Sequence, residues 1–163
     1  MADRLLVNWE KKSKERQKLY KQFLQRVSKN DVLKRQEAIH EEAFEKIDCL
    51  GCANCCKNYS PRFKLPDIKR ISKVLGLRET DFITTYLKMD EEGDYVLQQL
   101  PCPFLEANNE CRIYEDRPSD CRRFPYTDED VLVKRPVITQ KNSSFCPITY
   151  YTLEKLMEAI GKP

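Results

Sequence analysis

The sequence predicts a mainly α-helical protein with a small β-hairpin, built as a compact domain preceded by a basic helical extension. Three observations predict it: apolar residues recur at three- and four-residue intervals through most of the chain, strand-like runs are few and short, and eight cysteines are concentrated in 163 residues. The length suits one domain with an appendage, because domains commonly run about 100–200 residues. Charged residues make up 34% of the chain and mean hydropathy is −0.68, with no apolar run approaching the roughly 20 residues of a membrane span.

The extension, residues 1–47, opens with an uneven charge distribution. Residues 1–35 hold 11 Lys and Arg against 4 Asp and Glu, whereas the whole chain carries only +3. Such an arm suits contact with nucleic acid or an acidic protein partner, or else forms a solvated helical face. Leu19, Tyr20, Phe23, Leu24 and Val27 make one apolar helical stripe. The run Ser28-Lys29-Asn30-Asp31 interrupts it, and Asn30 or Asp31 is expected to cap a second helix carrying Leu33, Ile39, Ala43, Phe44 and Ile47. His40, the sole histidine, falls on that helix and reads as a solvated or packed residue.

Further along, Leu65-Pro66-Asp67 opens a helix with Ile68, Ile71, Val74 and Leu75 inside, and Gly76 ends it. Glu79 or Thr80 starts another, with Phe82, Ile83, Tyr86 and Leu87. Gly93-Asp94 marks a turn before the strand-like Tyr95-Val96-Leu97, and residues 103–105 and 111–114 read as a hairpin around Asn108-Asn109. Gln140 to Ser144 reads as a loop, and Cys146-Pro147 leads into a last helix closed by Gly161.

The chemistry of the chain rests on its cysteines. Four occur as Cys49-x2-Cys52-x2-Cys55-Cys56, and Cys102, Cys111, Cys121 and Cys146 follow among Pro, Arg and aromatic residues. Met1 to Glu10 is too polar for an export signal, so a cytoplasmic protein is expected, and a reducing compartment favours metal binding over disulfides. Adjacent Cys55 and Cys56 project from consecutive backbone units and are poorly placed to bridge each other. A core this sparse in apolar residues is expected to draw part of its folding free energy from the bound metal.

Over about residues 48–160 the sequence resembles the cysteine-cluster family of zinc- or iron-chelating domain proteins, named for a C-x2-C-x2-C-C motif. The residues carrying the resemblance are Cys49 through Cys56, Leu65 through Gly76, Cys102-Pro103-Phe104-Leu105, Cys111-Arg112-Ile113-Tyr114, Arg117-Pro118, Cys121-Arg122, Phe124-Pro125 and Cys146-Pro147. It implies metal chelation by all eight cysteines, without a settled reaction. Flagellin lysine methylases look similar in their cysteine set but sit in longer chains.

Two templates compete for the metal. A C-x2-C knuckle such as Cys49 and Cys52, paired with a distant pair, suits tetrahedral zinc. The triplet Cys49, Cys52 and Cys55 with a remote Cys-Pro, supplied by Cys102-Pro103 or Cys146-Pro147, suits an iron–sulfur cluster. The third cysteine at three-residue spacing tips the reading towards iron–sulfur, in one or two centres. Four thiolates on either centre leave a charge of about −2, and Arg117 and Arg122 are candidates for the cations that balance it from outside the ligand shell. No phosphate loop, H-E-x-x-H or G-x-S-x-G motif is present. The enzyme alternative is an iron–sulfur-dependent catalyst, redox or protein-methylating, or one working through an exposed thiolate such as Cys56, and the remaining alternative is an interaction module using the basic arm.

Overall fold

The computed structural model describes residues 3–163. Helices α1 (Trp9–Glu15), α2 (Gln17–Arg26), α3 (Lys29–Leu33), α4 (Gln36–Lys46), α5 (Cys49–Cys52), α6 (Asn54–Asn58), α7 (Leu65–Val74) and α8 (Glu79–Tyr86) lead into strands β1 (Leu87–Met89) and β2 (Tyr95–Leu97). A 3-10 turn at Tyr114–Asp116 and helices α9 (Ser119–Arg123), α10 (Val131–Lys134), α11 (Pro136–Ser143) and α12 (Pro147–Ile160) complete the chain. The protein is thus mainly helical with a two-stranded antiparallel hairpin, as its sequence predicts. Among the described residues no helix is long and apolar enough to cross a membrane.

The chain divides into two units, one of residues up to Asp48 together with Pro125–Pro163, the other of Cys49–Phe124. In the first unit the stripe of α2 buries Tyr20, Phe23 and Leu24 in a core with Val32, Ile39, Leu132, Val133, Tyr150, Leu153, Leu156 and Met157. Part of the basic arm is therefore core scaffold. The interruption after α2 is capped two residues earlier than Asn30: Ser28 Oγ accepts from the Asp31 N–H at 3.4 Å, so the serine and not Asn30 or Asp31 caps α3. The second helix is broken into α3 and α4, and Leu33 and Phe44, among its expected apolar positions, remain exposed.

The segment expected as a loop at Gln140 to Ser144 instead belongs largely to α11, opened by Pro136 at its first turn. Its polarity hides its burial. Thr139, Asn142 and Ser143 are buried, and the two hydroxyls are satisfied locally, Thr139 Oγ1 donating to Leu132 O at 2.9 Å and Ser143 Oγ to Gln140 O at 2.6 Å, whereas the Asn142 Nδ2 group finds no acceptor among the described residues. Ser13 Oγ donates to Ser143 O at 2.6 Å, and the Gln17 amide reaches Ser143 Oγ at 3.0 Å. Hydrogen bonds thus do for α11 what an apolar face does elsewhere.

The second unit packs α7 and α8 against the hairpin through Phe63, Ile68, Ile71, Phe82, Leu87, Leu97, Phe104 and Ile113. Strands β1 and β2 pair from Leu87↔Leu97 to Met89↔Tyr95, and the turn between them is held by Asp90 Oδ1, which accepts from the N–H groups of Glu92 and Asp94. The second hairpin, expected across residues 103–105 and 111–114, is reduced to a single bridge, Leu105↔Cys111. Asn109 in the left-handed region (φ 67°) and the Glu106 N–H to Glu110 O bond of 2.8 Å close its turn.

Candidate metal centre

Residues 49–58 would carry their cysteines on one continuous helical face if nothing intervened. Ala53 intervenes: it is buried and adopts φ 49°, ψ 18°, a left-handed conformation that costs a non-glycine residue about 1–2 kcal/mol. The segment is consequently two short turns. Cys49, exposed, and Cys52, half-buried, end the first, and half-buried Cys55 and Cys56 lie on the second.

The later cysteines of this unit meet the second turn. The Cys102 N–H donates to Cys56 O at 2.7 Å, fixing the end of the motif to the segment that carries Cys102. Leu105 N–H donates back to Cys102 O at 3.1 Å, Arg112 N–H donates to Phe104 O at 2.8 Å, and the isolated bridge places Cys111 opposite Leu105. Cys102 and Cys111 both pack on the aromatic core of the unit. Cys121 sits on α9.

The thiols feel one another. The Cys56 thiol is pushed well above the ordinary range by its hydrogen bond with the Cys55 side chain, and then by burial and by the Cys55 charge. Burial pushes Cys102 up to about 11, with the neighbouring Cys56 and Cys111 adding to the shift. Cys111 is raised by burial, and Cys121 is raised by burial and then by Cys102, Cys56 and Cys111. Cys56, Cys102, Cys111 and Cys121 therefore share one electrostatic neighbourhood, in which several thiolates can coexist only if a cation offsets them. Arg117 favours the thiolate form of both Cys111 and Cys121, and Arg112 that of Cys111.

Arg117 is held for that position: its guanidinium lies 3.9 Å from the Tyr114 ring centroid and donates to Tyr114 O at 2.8 Å. Arg122 braces the same loop, donating to the carbonyls of Arg117 and Glu115. Cys146, buried at the start of α12, belongs to the first unit. His40 also lies there, with Nδ1 2.8 Å from Thr127 Oγ1 and its ring against Phe44.

Sequence reasoning missed the residues that hold the loop before Cys121. Asp67, 3% exposed, accepts from the N–H groups of Lys64 and Ser119 and from the Arg70 guanidinium, all at 2.9–3.1 Å, and from Ser119 Oγ at 3.3 Å. Arg70 in turn donates to the carbonyls of Asp116 and Arg117. Buried Asp120, beside Cys121, accepts from Arg62 Nε at 2.9 Å. The one signal in the sequence is Asp67 at the third position of a Pro-initiated helix, where it caps the backbone of Lys64.

Among the described residues no three His, Cys, Asp or Glu side chains are already gathered as the ligand set of a single ion. The donor set nevertheless suits a soft metal: thiols dominate, their protons are held by burial and mutual repulsion, and a metal that displaces those protons relieves both. The family model CxxCxxCC, described as "Putative zinc- or iron-chelating domain", matches residues 48–147. No solved structure matches the chain.

Proposed function

Since the chain belongs to the CxxCxxCC family, we propose that it is a metal-binding protein whose cysteine thiolates hold an iron–sulfur cluster, with zinc as the competing occupant. The observation that carries this reading is the bond from the Cys102 N–H to Cys56 O, which ties the motif to the segment and bridged turn bearing Cys102 and Cys111. Cys56, Cys102, Cys111 and Cys121 are the ligands it favours first, and Cys49, Cys52 and Cys55 supply the triplet spacing typical of cluster proteins. When bound, such a centre supplies either one-electron chemistry or, as zinc, a redox-inert cross-link. Arg117 balances the thiolate charge, and Arg122 keeps the loop that carries Arg117 in place.

Anaerobic purification followed by analysis of metal, acid-labile sulfide and visible absorption tests the proposal. Bound iron with sulfide and colour is the expected result, and colourless protein with stoichiometric zinc selects the competitor. Wild-type protein carrying less than about one equivalent of any metal would overturn the reading. The double variant Cys102→Ser, Cys111→Ser is expected to lose the centre.

A further inference from the structure

The first unit contains a cavity of about 520 Å³ between the N-terminal segment and α12, within the range of small-molecule sites. Five cations line it, Arg4, Lys12, Arg16, Lys155 and Lys162, against three carboxylates. Each carboxylate is already engaged: Asp3 with Lys46, Glu158 with Lys155, and Glu154 with Arg16. Among the described residues Arg4, Lys12 and Lys162 have no carboxylate partner, and the Lys12 ammonium meets only the Arg4 carbonyl, at 3.0 Å. The surplus charge of the cavity is positive.

At its wall stands an arginine that is oriented from behind. Glu154 is 4% exposed and accepts from both Arg16 Nη1 and the Tyr20 hydroxyl, the latter at 2.7 Å. A buried ion pair of this kind adds little net stability compared with apolar packing. What it does here is fix one edge of a guanidinium. Among the described residues the other guanidinium N–H groups of Arg16 have no acceptor, and Arg16 itself lines the cavity. A guanidinium so held presents a preformed fork to an oxyanion.

The geometry points to a binding site in this cavity for a small multiply charged oxyanion, a phosphate ester or polycarboxylate, with Arg16 as its anchor, Glu154 as the residue that positions Arg16, and Arg4, Lys12 and Lys162 as supporting cations. The site is independent of the cysteines.

Calorimetric titration of the full chain at physiological salt with inorganic pyrophosphate, and separately with citrate, tests it. At least one probe is expected to bind one site with a Kd of about 0.1 mM or tighter, and the stronger of the two identifies the phosphate or carboxylate class. Arg16→Lys keeps the charge but not the fork, and is expected to weaken binding by about tenfold. Arg4→Ala and Lys162→Ala, at exposed positions where folding is not at stake, are expected to weaken it by about threefold each, while Lys21→Ala and Lys34→Ala, outside the cavity, leave it unchanged. Absence of saturable binding up to about 10 mM of either probe overturns the proposal. So does equal weakening by the Lys21 and Lys34 variants, or unchanged affinity in Arg16→Lys, Arg4→Ala and Lys162→Ala together.

Discussion

Replacing Asp67 tests whether the loop before Cys121 is held by one buried carboxylate. In Asp67→Ala four contacts disappear: the N–H groups of Lys64 and Ser119, the Ser119 hydroxyl and the Arg70 guanidinium lose their common acceptor. Breaking a buried ion pair costs about 3–5 kcal/mol, but Arg70 keeps 35% of its side chain exposed and retains two carbonyl acceptors, so its charge is not stranded. Two N–H donors with impaired bonding add about 1–3 kcal/mol each only where water cannot reach them. A loss of about 3 kcal/mol is the balanced expectation. Hydrogen exchange is the suitable assay, because it reports residues 116–124 separately from the first unit, for which a single global unfolding transition need not stand. Three kcal/mol corresponds to exchange faster by about 100-fold. Acceleration below about fivefold would refute the reasoning, as would equal acceleration in α2 or α12. The pH dependence has a definite sign. Burial pushes the Asp67 carboxyl up, yet the Arg70 guanidinium and the Lys64 and Ser119 N–H groups outweigh it and hold the carboxyl below its ordinary value of 3.8. Its contribution is therefore complete above that pH and is lost as pH falls through the lowered value.

The metal-free protein is expected to weaken as pH rises past about 9, because the folded thiols of Cys56, Cys102, Cys111 and Cys121 keep protons that the unfolded chain releases. Cys102 alone, moved from 9.0 to about 11, costs about 2–3 kcal/mol by pH 11, and urea titrations of chelator-treated and metal-loaded protein should show the loss only in the former. Phe82→Ala removes a fully buried ring set against Tyr86 at 5.4 Å and Phe63 at 6.1 Å between centroids, and is expected to cost about 3–5 kcal/mol in the second unit by hydrogen exchange. Gly76→Ala meets no atom within 4 Å but must adopt φ +67°, so thermal unfolding should show a cost of about 1 kcal/mol with no change in packing.

Much of the fold was legible because it is written in local signals. The stripe Tyr20, Phe23 and Leu24, the Pro66 and Gly76 that bracket α7, and the Pro147 start of α12 each declare an element within a few residues, and each lies where periodicity puts it. α11 was not legible, since a helix buried through Thr139, Asn142 and Ser143 shows no apolar period; the information lies in Ser13 and Gln17, over a hundred residues away. The same distinction separates the cysteines from what holds them. Eight cysteines in this spacing point to thiolate chemistry whatever the fold does. That Cys56 joins the neighbourhood of Cys102, Cys111 and Cys121 was not readable, because it follows from a left-handed Ala53 and from a backbone bond 46 residues long in sequence. Nor was the role of Asp67, an ordinary helix-capping residue by position, whose second and third partners at Ser119 come from a loop 52 residues downstream. If this reasoning holds, substitution of Asp67 should disturb Cys121 more than substitution of Arg122, because Asp67 is buried and holds Ser119 at the start of α9, whereas the exposed Arg122 reaches only the Glu115 and Arg117 carbonyls further back in the loop.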